Sequence, residues 1–525
     1  MSDKNLSSTE DEKEDMRKDS KSVHSFVKKE PPPEKLESIK TRSTIILSFW
    51  VIILAVGIPI WWVTTAIYRA SLPLDQMMDW ANGRVLDPRE FSVFPLRILI
   101  EAESLSELEA QNLLRATQHA LDDLNDFSAH HLRLQLSPSS KITLDELPVN
   151  LSGDVALLIR LIPDVETSAQ LHQHSPILNI YYALNQAPSS PSSSGPLATY
   201  ITHYLRALFA EERSMISHLL SNSSSDHLVD NYLTDSLQKW TSRTIKYSPS
   251  YHLTFSLFTP SSEPRTWPIS NALDTHMKPL LNLLYPTSNF TIDTQIQFYA
   301  TPGVTGKVLR QEDLSHFVNA SEWPLSPSIG IAPTVNFIVY AGDIEIEGGA
   351  KSWLIPQWGG VTILPPSEVD DLRPVMLIFA KQLMSLLGAP ETGNLPLRLQ
   401  TLSRVRSASL LLKASSTLGS LARLSLALPG ISIPRSVSDG VSKTIINLEL
   451  ACAGLAGPAG LEYARQAEQE AEKAFFEKSM VGQVYFPDEH KVAVYLPLLG
   501  PVGVPLVIGA IKEVKAWIKR REKAH

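Results

Sequence analysis

At 525 residues and 43% hydrophobic, the chain is long enough to bury a large core as one big domain or two ordinary ones. Its net charge of −8, with no basic run inside the long stretch between its two most apolar segments, argues against nucleic acid as a partner. A single cysteine, Cys452, excludes any internal disulfide, so folding rests on ordinary packing.

Residues 1–43 are read as a disordered cytosolic tail, because Ser, Lys, Glu and Asp around the triplet Pro31–Pro33 cannot bury a core. Thr44 to Ile67 then runs without a charge over more than the ~20 positions a helix needs to cross a bilayer. It reads as a transmembrane helix into which Gly57 and Pro59 are absorbed. A cleavable signal peptide is the competing reading, but the run is too long and a long polar segment precedes it. Lys35, Lys40 and Arg42 lie before this span and Arg69 alone lies just after it, which places the N-terminus in the cytosol.

The stretch 68–367 is expected to form a lumenal layered α/β domain. Phe94 to Glu103 is strand-like, and the following helix is signalled by Ser104 and Glu107 at capping-box spacing, with Leu113, Ala116, Ala120, Leu121 and Leu124 on one face. Strands are expected at Leu132–Leu136, in DVALLIRLI ending at Ile162, and from Ile177 in ILNIYYAL. QAPSSPSSSGP is a low-complexity turn leading into a helix from Leu197 to Leu220. The pattern then repeats in outline, with strands at Tyr251–Phe258, Thr294–Ala300 and Thr334–Tyr340 and a helix between the first two.

From 368 to 491 long helical runs predict a lumenal helical subdomain, interrupted at Pro429 and Pro434. Residues 492–511 form a second apolar run containing Pro497, Pro501 and Pro505. The basic tail 512–525 behind it keeps the C-terminus cytosolic and makes the chain two-pass. A glycosylphosphatidylinositol (GPI) attachment signal would end in its apolar tail, so this ending is not one. The three prolines, spaced by four, share one helical face that is expected to meet partner subunits. The alternative is an extended lead-in, with the span beginning nearer Leu498 and reaching Trp517 with Lys512 snorkelling.

Candidate modification sites are the glycosylation sequons at Asn150, Asn222, Asn289 and Asn319, all in the lumenal stretch, although a Ser-rich chain forms such triplets by chance. For catalysis the sequence offers little. No HExxH, CxxC, GxSxG or GxGxxG string occurs, and GVTGKV at 303–308 lacks phosphate-loop spacing. His172 and His174 lack a third metal ligand at fixed spacing, and Cys452 sits in the small apolar string LELACAGLAG as a buried thiol. Asp122 with Asp123, and Asp370 with Asp371, read as exposed helix ends. Asp488, Glu489 and His490 read as capping or partner contacts at the membrane surface. No catalytic residue, cofactor or metal site is therefore expected. What stands out is WLIPQWGGV at 353–361, a rigid turn whose Trp353 and Trp358 are candidate partner contacts or, equally, a core anchor.

Taken in order, WWVTTAIYRASLPL at 61–74, YHLTFSLF, TQIQFYA, IPQWGGV at 355–361 and AFFEKSMVGQVYFPDEHKVAVYLPL at 474–498 make the chain resemble the PIG-S family of the GPI transamidase complex, in a fungal-looking form. The resemblance implies a non-catalytic subunit of the endoplasmic reticulum enzyme that attaches GPI anchors, supporting assembly and substrate positioning. It also implies PIG-K, PIG-T, PIG-U and a Gaa-type subunit as partners besides membrane lipid, with the nucleophile on PIG-K. The alternative reading is a lumenal membrane-bound transferase of GPI precursor biosynthesis.

Overall fold

In the computed structural model, the described residues are 35–65, 68–83, 94–124, 130–137, 155–186, 195–223, 231–263, 266–304, 306–325, 332–428, 431–455, 457–480 and 488–522. Asn150, most of QAPSSPSSSGP and nearly all of the N-terminal tail lie outside them. For Asp488, Glu489 and His490 the backbone alone is described. The chain divides into two units, Met1–Ala66 with Phe486–His525, and Ile67–Tyr485.

The first unit begins with α1 (Leu36–Ile52) and α2 (Ile58–Thr65), joined by a π-helical turn at Ile53–Gly57. Pro59 explains the widened turn. Its ring would collide with the carbonyl four residues back, and the ladder yields by letting Ile58 N–H donate to Ile53 O. Among the described residues one helix, Glu37–Ile60, with a mean hydropathy of 2.4, is long and apolar enough to cross a membrane.

The second unit opens with α3 (Leu74–Ala81) and then builds two parallel-rich sheets. The first holds β1 (Phe94–Glu101), β2 (His130–Leu136), β3 (Val155–Pro163), β4 (Ser168–Leu171) and β5 (Ile177–Tyr182) in the order β2-β1-β3-β5-β4, with β4 antiparallel at the edge. Helix α4 (Glu107–Asp123) links β1 to β2, and α5 (Pro196–Leu208), α6 (Ala210–Ser223) and α7 (Asn231–Arg243) follow β5. The capping box lies two residues beyond the expected place. Ser106 accepts from Glu109 N–H while the Glu109 carboxylate accepts from Ser106 N–H. Ser104 instead hydrogen bonds the Tyr182 hydroxyl at 2.9 Å. The helix expected from Leu197 to Leu220 is two helices, broken where Phe209 turns into the core.

The second sheet comprises β6 (Ser250–Phe258), β7 (Asn289–Gln297), β9 (Thr334–Ala341), β11 (Ser352–Ile355) and β12 (Gly359–Leu364), while β8 (Val308–Leu309) and β10 (Glu345–Ile346) pair separately. Its order, β11-β12-β9-β6-β7, repeats the first sheet. Counted along the chain, each runs second, first, third, fifth, fourth, with the fourth strand antiparallel to the fifth. Helices α8 (Ile269–Ala272) and α9 (Lys278–Leu284) stand where α4 stands, and α10 (Arg373–Leu386) where α5 stands.

One core joins β6, β9, α9 and α10 around Phe255, Phe337 and Phe379, so α10 belongs with the sheet. The other side of the sheet is closed by an aromatic cap in which Phe317 and Trp323 of the β7–β9 excursion pack on the sheet's own rings, Phe317 edge-on to Tyr340 of β9 and Trp323 stacked on Phe258 at 4.3 Å.

Helices α11 (Leu395–Ala427), α12 (Arg435–Ala453) and α13 (Pro458–Phe475) pack with α3 into a separate helical core. Small residues set the spacing. A Cβ at Gly440 would lie 3.3 Å from Ala474, and one at Gly419 would lie 2.3 Å from Ala81. The chain ends in α14 (Asp488–Glu522), one helix of 35 residues that continues through Pro497, Pro501 and Pro505. The stretch before Leu498, for which the alternative reading is an extended lead-in, is helical from Asp488 on, as the main reading expects.

Candidate interaction sites

WLIPQWGGV forms the β11–β12 hairpin, pairing Ile355 with Gly359 across a three-residue tip. Gln357 takes φ 58° there and donates its N–H to Arg243 O at the end of α7. The glycines are required by approach rather than by turn geometry. A Cβ at Gly359 would sit 1.8 Å from Asn336 O, and one at Gly360 1.9 Å from the Gln382 side-chain oxygen. That closeness lets Gln382 donate to Trp353 O at 3.0 Å. Trp353 meets the Phe317 ring edge-on at 5.2 Å, and both Trp353 and Trp358 are half-buried against the aromatic cap. Both rings are thus partly packed on the cap and partly exposed. What the sequence concealed is that GGVTIL is an interior strand, since two glycines at its start read as a turn.

In the first unit, Arg42 pairs with Glu513 at 2.6 Å, and a Cβ at Gly509 would meet Ile46 Cδ1 at 3.8 Å. Four residues forward on α1 correspond to four back on α14, so the two helices run antiparallel. Gly503, Leu506, Gly509, Ala510 and Glu513 form a half-buried stripe along α14, whereas Pro497, Pro501 and Pro505 are exposed on another face. Small residues thus serve the contact with α1, where close helix approach is favourable.

The groups weighed for chemistry are dispersed. Cys452 lies on α12 against the helical core, and burial raises its thiol to about 11, far from a thiolate at neutral pH. His172 Nδ1 and Ser175 Oγ are hydrogen bonded at 2.6 Å, and the His172 ring sits 6.4 Å from that of His174. No group of three His, Cys, Asp or Glu side chains able to hold a metal occurs among the described residues.

A cavity of about 450 Å³ opens at the C-terminal end of β12, lined in part by Lys351, Glu368, Asp370 and Asp371. Its carboxylates have local duties. Glu368 faces Lys351 at 3.4 Å, Asp370 accepts from Thr266, and Asp371 accepts from Arg373 N–H at the start of α10.

The sequence reading missed the buried pair Glu212–Arg404, 2.6 Å apart with Thr401 donating to the same carboxylate. A charge on the buried face of α11 was the available signal.

Of the sequons, Asn289 is exposed at the start of the edge strand β7. Asn319 is engaged, donating to Thr301 O at 3.3 Å and accepting from Ser321 Oγ at 2.7 Å. Asn222 lies in the last turn of α6.

Comparison with known proteins adds what geometry alone does not. The model of the family described as phosphatidylinositol-glycan biosynthesis class S protein, PIG-S, matches residues 48–520. The GPI transamidase component PIG-S homolog of Schizosaccharomyces pombe is 28% identical over 93% of this chain and 86% of its own length. The human GPI-anchor transamidase component PIGS is 27% identical over 90% of this chain and 96% of its own. A GPI transamidase component of Saccharomyces cerevisiae is 25% identical over 93% and 95%. With the family match running from within α1 nearly to the end of α14, through both repeated sheets and the helical core, the chain belongs to the PIG-S family.

Proposed function

We propose that this chain is a non-catalytic component of the GPI transamidase of the endoplasmic reticulum membrane, holding the complex together and helping to position substrate. The observation that carries the reading is that relatives from yeasts to human, aligned over nearly their whole lengths, are named GPI transamidase components. Its assigned partners are PIG-K, PIG-T, PIG-U and a Gaa-type subunit, with the reacting cysteine on PIG-K. A thiol pushed up to about 11 in Cys452 suits that division, because such a group is a poor nucleophile at neutral pH.

Two spans, α1–α2 and α14, with both tails cytosolic and 68–491 lumenal, complete the proposal. The antiparallel Arg42–Glu513 register supports it, since two adjacent antiparallel spans begin and end on one side. The outward edges of Trp353 and Trp358, and the proline face of α14, are the assigned subunit contacts, and Asn289 is the assigned glycan acceptor.

Purification of the tagged full chain in mild detergent tests the reading: the other transamidase subunits should copurify. In the assembled complex, alanine at Cys452, Asp488 or His490 should leave transamidation intact. A chain that purifies alone and turns over a GPI precursor would establish the transferase alternative instead.

A further inference from the structure

The first described residues of the second unit and the residues just after α13 meet at one end of its helical core. Ala70 N–H donates to Ile433 O and Ile433 N–H to Tyr68 O, so residues 68–70 are pinned to the loop between α11 and α12. Arg69 donates to Leu428 O at 3.2 Å and Ser425 O at 2.6 Å, and Arg435 donates to the Tyr68 hydroxyl at 3.1 Å. Ser436 reaches Glu477 at 3.4 Å, bringing the end of α13 to the same place.

Four large apolar side chains on this end are turned outward rather than into the core: Tyr68 (55% exposed), Leu426 (60%), Leu428 (37%) and Phe476 (65%). Exposed Arg435 and Lys478 accompany them. An apolar and aromatic rim beside cationic side chains has the chemistry of a lipid headgroup boundary.

We propose that this rim, Tyr68, Leu426, Leu428 and Phe476, rests in the interfacial layer of the bilayer. The occupant follows from chain length. Only Ala66 and Ile67 lie between Thr65, the last residue of α2, and Tyr68, three steps along the chain that reach about 10 Å even when fully extended. The inference rests on the reading of α1–α2 as a membrane span.

The full-length chain carrying Cys452→Ala and one new cysteine, at Leu428, Phe476, Val165 or Phe49, is labelled with an environment-sensitive fluorophore and reconstituted into phosphatidylcholine vesicles. Val165 is 87% exposed between β3 and β4, and Phe49 lies within the apolar helix. Labels at Leu428 and Phe476 should emit to the blue of the Val165 label and lose intensity when lipids spin-labelled near the headgroup are included. Rim labels that match Val165 while Phe49 is quenched by lipids spin-labelled deep in the tails overturn the rim and leave the span intact. A Phe49 label insensitive to every spin-labelled lipid removes the span reading and the rim with it. Rim labels that ignore lipid yet become shielded when the copurifying subunits are added show that a protein covers this end, which also overturns the proposal.

Discussion

A methyl group on Gly359 would fall 1.8 Å from the carbonyl oxygen of Asn336, a backbone atom that cannot swing aside without opening the β9–β12 pairing. Gly359→Ala should therefore destabilise the second unit by about 3 kcal/mol, the upper range for overpacking, read as a lowered unfolding midpoint in intrinsic tryptophan fluorescence. Trp358→Ala separates two roles instead: loss of partner copurification at an unchanged midpoint marks an interface, and a lowered midpoint alone marks a core anchor. At Cys452, burial raises the thiol from 9.0 to about 11, so between those values the folded chain keeps a proton the unfolded chain has released. Stability accordingly falls as pH rises through that window, by roughly 3 kcal/mol in all. Cys452→Ala should flatten this part of the profile, and an identical slope in the variant would exclude the thiol as its source.

Elements were legible where periodicity and burial agree. Alternation exposed β1, β2 and β6, and the apolar runs exposed β3, β5 and β9, because each of these strands packs its side chains against a helix layer or the aromatic cap. The misses have local causes. SLSELEAQ contains two overlapping capping boxes, and what selects Ser106 over Ser104 is a Tyr182 hydroxyl contributed by β5, 78 residues away. The start of β7 at Asn289 was missed although Phe290 and Ile292 alternate with polar residues there, because Asp293 and Thr294 interrupt the alternation and an edge strand leaves its apolar side chains half-buried at most. Interaction candidates were less legible still. The tryptophans of WLIPQWGGV announced an aromatic turn, but its burial against Phe317 depends on a loop some forty residues earlier. In α14 the prolines deny a bond to the carbonyls of Ala493, Pro497 and Pro501, on a face that α1 does not cover. Changing all three to leucine should leave insertion intact while copurification of the other subunits falls, and full retention would remove that face from the proposed contacts.

At the scale of the whole molecule, the repeated strand order makes the second unit two versions of one α/β plan followed by a helical core. Among the described residues only the second version carries the aromatic cap. Protease added to sealed microsomes should trim the chain at its ends alone, and endoglycosidase should raise its mobility unless Asn289→Gln has removed the acceptor. Digestion of the 68–491 stretch in intact vesicles would overturn the proposed topology.

The pairing of α1 with α14 also has a consequence in time. Residue 488 is synthesised 436 residues after residue 52, an interval of about 20–90 s at ordinary elongation rates. Throughout it the nascent α1 stands without its mate, and Arg42 without Glu513. A helix left waiting so long at the site of synthesis is open to a temporary companion, whether a chaperone or the membrane insertion machinery. The arrival of α14 would then be the event that releases it.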